Sequence, residues 1–130
     1  MRQRSGAIPT RNDLGNTLRL SGRLSEAIDQ YQQALRVDPN YVEAHNNLAL
    51  ALTQAGRFSE AIEQCQLALK IRPNDSGALD NWGVALADSG QISAAIEQLE
   101  AAVRIDPRNV QAQNDLAKLQ AMEKSGQVKK

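Results

Sequence analysis

The chain has little of what reactive sites are usually built from. Its 130 residues include one cysteine, Cys65, and one histidine, His45. A lone thiol excludes an internal disulfide and suits a reducing compartment. No CxxC or HExxH spacing offers a metal site, and there is neither a glycine-rich phosphate loop nor a Ser/His/Asp set. Aromatic residues make up 3% of the chain (Tyr31, Tyr41, Phe58 and Trp82), too few for a base-stacking surface. The 15 Lys and Arg balance the 15 Asp and Glu, so no excess of cations is present to meet nucleic-acid phosphates. The longest purely apolar run, Leu48–Leu52, is far below the roughly 20 residues of a membrane-spanning helix. The opening MRQRSGAIPT carries positive charge with no apolar stretch behind it, so it does not read as a signal peptide. These absences lead to an expected cytoplasmic protein that is not an enzyme, with no cofactor, metal, nucleic acid or membrane as partner.

What is present is a folded domain's composition, 42% apolar and 23% charged, organised by a period of 34. Pro39, Pro73 and Pro107 keep that step, as do Gly22/Gly56/Gly90, Ser25/Ser59/Ser93, Ala27/Ala61/Ala95 and Ala34/Ala68/Ala102. The units are 8–41, 42–75 and 76–109; the first and second share 15 of 34 residues, the second and third 13. Residues 1–7 form an expected flexible lead-in, 110–124 an expected capping helix and 125–130 an expected tail ending in Lys129 and Lys130.

Each unit reads as two helices. In the second, Ala44, Leu48, Ala51, Leu52 and Ala55 recur at steps of three and four, one buried helical stripe. Gly56 ends that helix. Ser59 is placed to cap the next, with Glu60 at the positive end of its dipole. A second stripe, Ala61, Ile62, Cys65, Ala68 and Leu69, stops before Pro73, whose ring disfavours helix in the preceding residue. In the first unit Pro9 is expected at the first helical turn, where a missing N–H costs nothing. Small residues at one position (Gly15, Ala49, Gly83, Ala117) predict close helix crossings, with Leu14, Leu48, Trp82 and Leu116 as the larger partners. The fold expected is all-α, a single row of antiparallel helix pairs.

Taken together, Leu14-Gly15, Leu48-Ala49, Trp82-Gly83 and the Gly, Ala and Pro columns resemble the tetratricopeptide repeat. The resemblance covers residues 8–109 and part of the following helix. It departs where the family has a large aromatic early in the first helix and this chain has Arg11, His45 and Leu79. It departs again where Tyr31 is followed by Cys65 and Leu99. It implies an α-solenoid wound as a right-handed superhelix. Gln120 stands in place of Leu18, Leu52 and Leu86, and Thr10 and Thr17 stand in place of later alanines. Such polar ends predict a self-contained three-repeat domain.

On a helical wheel the first helix of each unit leaves a polar arc opposite its buried stripe. Asn12, Asp13, Asn16 and Arg19 lie there in the first unit. Asn46, Asn47, Leu50 and Thr53 follow in the second, Asp80, Asn81, Val84 and Asp88 in the third, and Asn114, Asp115, Lys118 and Met122 in the last helix. The resemblance implies that this arc lines a concave groove for a protein or peptide. Two columns stand out, Asn12/Asn46/Asp80/Asn114 and Asp13/Asn47/Asn81/Asp115. A carboxamide can pair with a peptide's N–H and C=O whatever its sequence. Rungs ~10 Å apart would meet an extended chain every third residue or so, about nine residues in all. The enzyme that transfers GlcNAc to proteins has a similar asparagine ladder in its tetratricopeptide superhelix, and Asn47 and Asn81 resemble it most. The family's chaperone carboxylate clamp is matched at its amide positions by Asn16 and Asn47. Its cationic positions hold Asn12, Gly77 and Asn81, so the charge-assisted pairs are missing, and the aspartates favour a neutral or basic guest.

His45, Cys65 and Trp82 lie on or beside packing stripes and read as structural. Three classes of function follow: a monomeric scaffold binding an extended or helical segment of a partner, a protein stacking end to end through Ile8, Leu14, Leu18 and Met122, and a targeting module of a larger enzyme.

Overall fold

The computed structural model describes residues 2–126, with side chains from Thr10 onward. The side chain of Ile8, and the expected tail beyond Gly126 with Lys129 and Lys130, lie outside the described residues. Seven helices follow in order: α1 (Arg2–Leu20), α2 (Leu24–Val37), α3 (Val42–Gln54), α4 (Phe58–Ile71), α5 (Ser76–Asp88), α6 (Ile92–Ile105) and α7 (Val110–Lys124). No strand occurs among the described residues. The chain is an all-α solenoid of antiparallel pairs, α1/α2, α3/α4 and α5/α6, with α7 packed on the last.

Two kinds of turn set the direction of the chain. After each first helix a glycine takes a left-handed conformation, φ +80° at Gly56. The Arg57 N–H then reaches back to the Leu52 carbonyl at 2.8 Å and that of Gly56 to Thr53 at 3.0 Å, which satisfies carbonyls the helix end leaves bare. A Cβ at Gly56 would meet no atom within 4 Å, so only the backbone conformation forbids one. Gly56→Ala is expected to cost about 1 kcal/mol in urea unfolding. After each second helix proline takes over: Arg72 before Pro73 is extended (φ −133°, ψ 89°).

First helices touch in series, α1 with α3, α3 with α5 and α5 with α7. No comparable contact joins α2 to α4 or α4 to α6. The row of first helices is therefore set closer than the row of second helices, and the stack bends with the first helices inside.

The small residues expected at helix crossings stand against large ones. A Cβ on Gly15 would come within 2.5 Å of the Tyr31 ring, and one on Gly83 within 2.7 Å of Leu99 Cγ. In the middle unit the equivalent positions hold Ala49 and Cys65, both fully buried. Glycine thus stands opposite the bulky side chains and alanine opposite the slim one.

Several expectations are corrected. α1 begins at Arg2, not after a lead-in, and Pro9 falls inside the helix, where it removes one backbone donor. Ser59 makes no capping hydrogen bond. The turn is instead braced by Arg57 and Glu60, whose side chains bond at 2.7 Å. Ala55 is exposed, because α3 ends at Gln54 and Ala55 already turns toward α4. Leu14 is 45% exposed, on a side of α1 that no helix among the described residues covers. Ala117 is exposed, with no helix among the described residues packed across it.

Candidate functional site

The residues of the polar arc lie along the line where the first helices meet, and several are buried by that meeting. Asn12, Asp80 and Asn81 are 5–8% exposed. Asn16, Arg19, Asn46, Asn47, Leu50, Val84 and Asp115 are half-buried, while Asp13, Asn114 and Lys118 are exposed. Thr53, read on the free side, is buried as well. A single-helix wheel has one covered face, but each of these helices is also flanked by its neighbours in the row.

The two columns are cross-bonded. Asn47 Nδ2 donates to Asn12 Oδ1 at 2.9 Å across the α1–α3 seam, and Asn81 Nδ2 to the Asn46 carbonyl at 3.2 Å across α3–α5; each pair is 35 residues apart. The same step carries Asp80 to Asp115 across α5–α7, where the two carboxyl groups lie close enough to perturb each other and Asp80 Oδ1 is buried without a partner. The first two seams are joined by amides and the third by acids. Burial, and then the proximity of Asp115, pushes the Asp80 carboxyl up to about 8. Both effects favour the protonated, neutral form of Asp80 beside Asp115.

These bonds decide what the arc can offer a guest. Asn46 spends its amide on Asp75 Oδ2 at 2.7 Å, and Asn16 Oδ1 accepts from the Tyr31 hydroxyl at 2.5 Å. Asn12 Nδ2 stands 3.5 Å from the Tyr41 hydroxyl, a weak contact. The side-chain oxygens of Asn47 and Asn81 accept nothing from the protein and are not sealed off. Asn47 and Asn81 thus spend their donors on the seams and keep their acceptors open, whereas the oxygens of Asn12 and Asn16 are engaged and that of Asn46 is buried without a partner.

Between α5 and α7 the inner face opens into a recess of about 160 Å³. Its walls are Val84, Ala87, Ile92, Leu99, Leu119 and Met122, and Asp88, Asp115 and Lys118 stand at its polar edge. The sequence reading placed Val84, Asp88, Asp115, Lys118 and Met122 on this face but missed Ile92, Leu99 and Leu119. Leu119 carried a signal, since earlier units have Ala51 and Ala85 at its position.

Comparison with known families matches residues 12–76 to a tetratricopeptide repeat model and residues 83–123 to a second one described as TPR repeat. The chain belongs to the tetratricopeptide repeat (TPR) family. No curated protein matches it. Among solved structures it is similar to the first TPR of Spaghetti (RPAP3) bound to the HSP90 peptide SRMEEVD, at 27% identity and a TM-score of 0.79, covering 92% of this chain and 95% of that one. The second TPR domain of human RPAP3, in complex with the HSP70 peptide SGPTIEEVD, gives 24% identity and a TM-score of 0.78 over 90% and 98%. The O-GlcNAc transferase of Thermobaculum terrenum gives 21% and 0.82, with 90% of this chain matched to 22% of that one. The last two likenesses speak to the fold.

The histidine, tryptophan and cysteine of this TPR array sit in its packing. His45 is 6% exposed. Its Nε2 donates to the Pro39 carbonyl at 2.7 Å and its Nδ1 lies 2.8 Å from the Gln64 side-chain amide, which can turn to donate. Trp82 is half-buried between the α5–α6 packing and that of α7. Cys65 is fully buried and its thiol is pushed up to about 12 by burial. A thiol in that state is no nucleophile. Cys65 is expected to stay unmodified by a thiol reagent in the native protein and to react at once in denaturant. Among the described residues no group of three or more His, Cys, Asp or Glu could hold a metal ion, and no helix is long and apolar enough to cross a membrane.

Proposed function

We propose that this TPR array is a protein-interaction module whose inner face holds an extended segment of a partner protein, neutral or basic in charge. The observation that carries the reading is the unbroken row α1, α3, α5, α7, with the open side-chain oxygens of Asn47 and Asn81 on its seams. Those oxygens suit backbone N–H donors of a strand laid along the row. The likeness to a TPR bound to an HSP90 peptide supports peptide recognition. The acidic character of that peptide does not carry over. Asn12, Gly77 and Asn81 occupy the positions where the chaperone clamp needs cations, and Asp13, Asp80, Asp88 and Asp115 line the face. Backbone pairing and shape give modest affinity, on the order of micromolar, roughly −8 kcal/mol.

The test is selection of binders from a random peptide library on the intact chain. Selected peptides are expected to lose about tenfold or more in affinity on Leu50→Glu, a change worth roughly 1.4 kcal/mol. They should bind normally to Gln66→Glu, on the exposed side of α4. Peptides insensitive to Leu50→Glu but weakened by the α4 change would move the binding surface to the outer row. A second reading, head-to-tail stacking, draws on the exposed Leu14 at one end and the uncovered Ala117 side of α7 at the other. Sedimentation over a range of concentrations separates the two, since only stacking makes the mass grow.

A further inference from the structure

The α5–α7 recess joins three features that point to one kind of guest. Its walls are aliphatic, and its volume of about 160 Å³ is well below the roughly 300 Å³ where small-molecule and cofactor sites begin. It is near the size of a cavity that holds one six-carbon ring, so it suits a single side chain. Its edge is negative: Asp88 and Asp115 flank the opening. Lys118, also on the edge, is exposed and makes no ion pair with either.

The third feature is the end of α5. The recess is formed by its last turn, Val84, Ala87 and Asp88. That turn carries no basic residue, as is also true of α3, whereas α1, α2, α4, α6 and α7 each end with an arginine or lysine; α5 differs from α3 in ending on a carboxylate. The bare carbonyls of a helix end favour a cation, and here the chain supplies a carboxylate, Asp88, in its place. A locally unfavourable choice of this kind is what a binding site leaves in an unbound protein.

We infer that this recess takes the side chain of a lysine from the bound segment, its methylene stem against Val84, Leu119 and Met122 and its ammonium between Asp88 and Asp115. This rests on the proposed reading of the inner face and adds a specificity to it: a positive residue seated toward the C-terminal end of the array. The stem gains by leaving water, and the ammonium stays at the rim, partly hydrated, as long cationic side chains do on apolar surfaces.

The direct test needs no peptide. n-Pentylammonium, n-pentanol and pentanoate are titrated separately into the full chain while backbone amide resonances are followed by NMR. Pentylammonium is expected to shift Val84–Asp88 and Asp115–Met122 saturably, and pentanol to bind about fivefold more weakly, the size of one rim ion pair. Pentanoate should leave these residues unmoved. Changing Asp88→Asn and Asp115→Asn together should bring pentylammonium down to the level of pentanol, while Asp29→Asn, on exposed α2, should change nothing. Equal binding of the ammonium and the alcohol, stronger binding of pentanoate through Lys118, or no saturable shift at all would each overturn the inference. In the peptide assay, replacing each lysine of a selected binder by norleucine separates the two proposals. Undiminished affinity removes the lysine site and leaves the groove reading intact. Failure to select any peptide, with pentylammonium still bound, removes the groove reading, and with it the bound segment, and leaves only a recess for an alkylammonium group.

Discussion

Replacing Tyr31 by alanine should remove about 3–5 kcal/mol of stability, a large share of the ~5–15 kcal/mol that holds a domain of ordinary size folded. The ring is fully buried between α1 and α2, packed against Gly15, and its hydroxyl is 2.5 Å from Asn16 Oδ1. Alanine leaves a cavity between α1 and α2. Tyr31→Phe keeps the ring and loses only the hydrogen bond, so it should cost about 0.5–1.5 kcal/mol. The decisive comparison adds Gly15→Ala. In the native background the new methyl would run into the ring, at 2.5 Å, and should destabilise. In Tyr31→Ala the space is free, and alanine's better helix propensity, worth up to about 1 kcal/mol, should make the same substitution neutral or favourable. Urea unfolding of the four proteins gives the coupling. Additive effects would mean that Gly15 is small for some reason other than Tyr31.

That pairing illustrates what was legible in the sequence. The 34-residue step set the helices, the turns at Gly56 and Pro73 and the small residues at crossings, because each follows from local geometry repeated three times. Whether Gly15 and Tyr31 are partners was harder to read, although the size swap across the units (Gly with Tyr, Ala with Cys, Gly with Leu) was there. The inner face was read as one free arc because a wheel treats each helix alone. Packing of first helix against first helix buries Asn12, Thr53, Asp80 and Asn81, and this lateral contact has no signature within one unit. It does have one between units: a step of 35 links Asn12 to Asn47, Asn46 to Asn81 and Asp80 to Asp115. Ser76 escaped for the same reason. Its hydroxyl donates to the Ala102 carbonyl at 2.9 Å and accepts from Asn109 Nδ2 at 2.8 Å, tying α5 to the end of α6 and the start of α7.

The α5–α7 seam yields the second large effect. Asp80 stands where the earlier units have Asn12 and Asn46, and Asp80→Asn is expected to raise stability by about 1–3 kcal/mol above neutral pH, the cost of burying a polar group without adequate partners. The native carboxyl solves the problem by keeping its proton, held up to about 8 by burial and by Asp115, against roughly 4 in an unfolded chain. Between those values the folded protein binds a proton that the unfolded one does not, so this group's contribution is complete below pH ~4 and is lost as pH rises through about 8. An asparagine amide donates to Asp115 at any pH. The gap between the native protein and the variant should therefore be smallest near pH ~4, widen through neutral pH and level off above pH ~8, the variant melting higher. Measuring Tm for both across that range isolates the Asp80–Asp115 pair, because every other carboxylate is common to the two proteins. A gap that stayed constant with pH would mean that Asp80 is ionised throughout, and that some other donor, rather than a shared proton, joins α7 to α5.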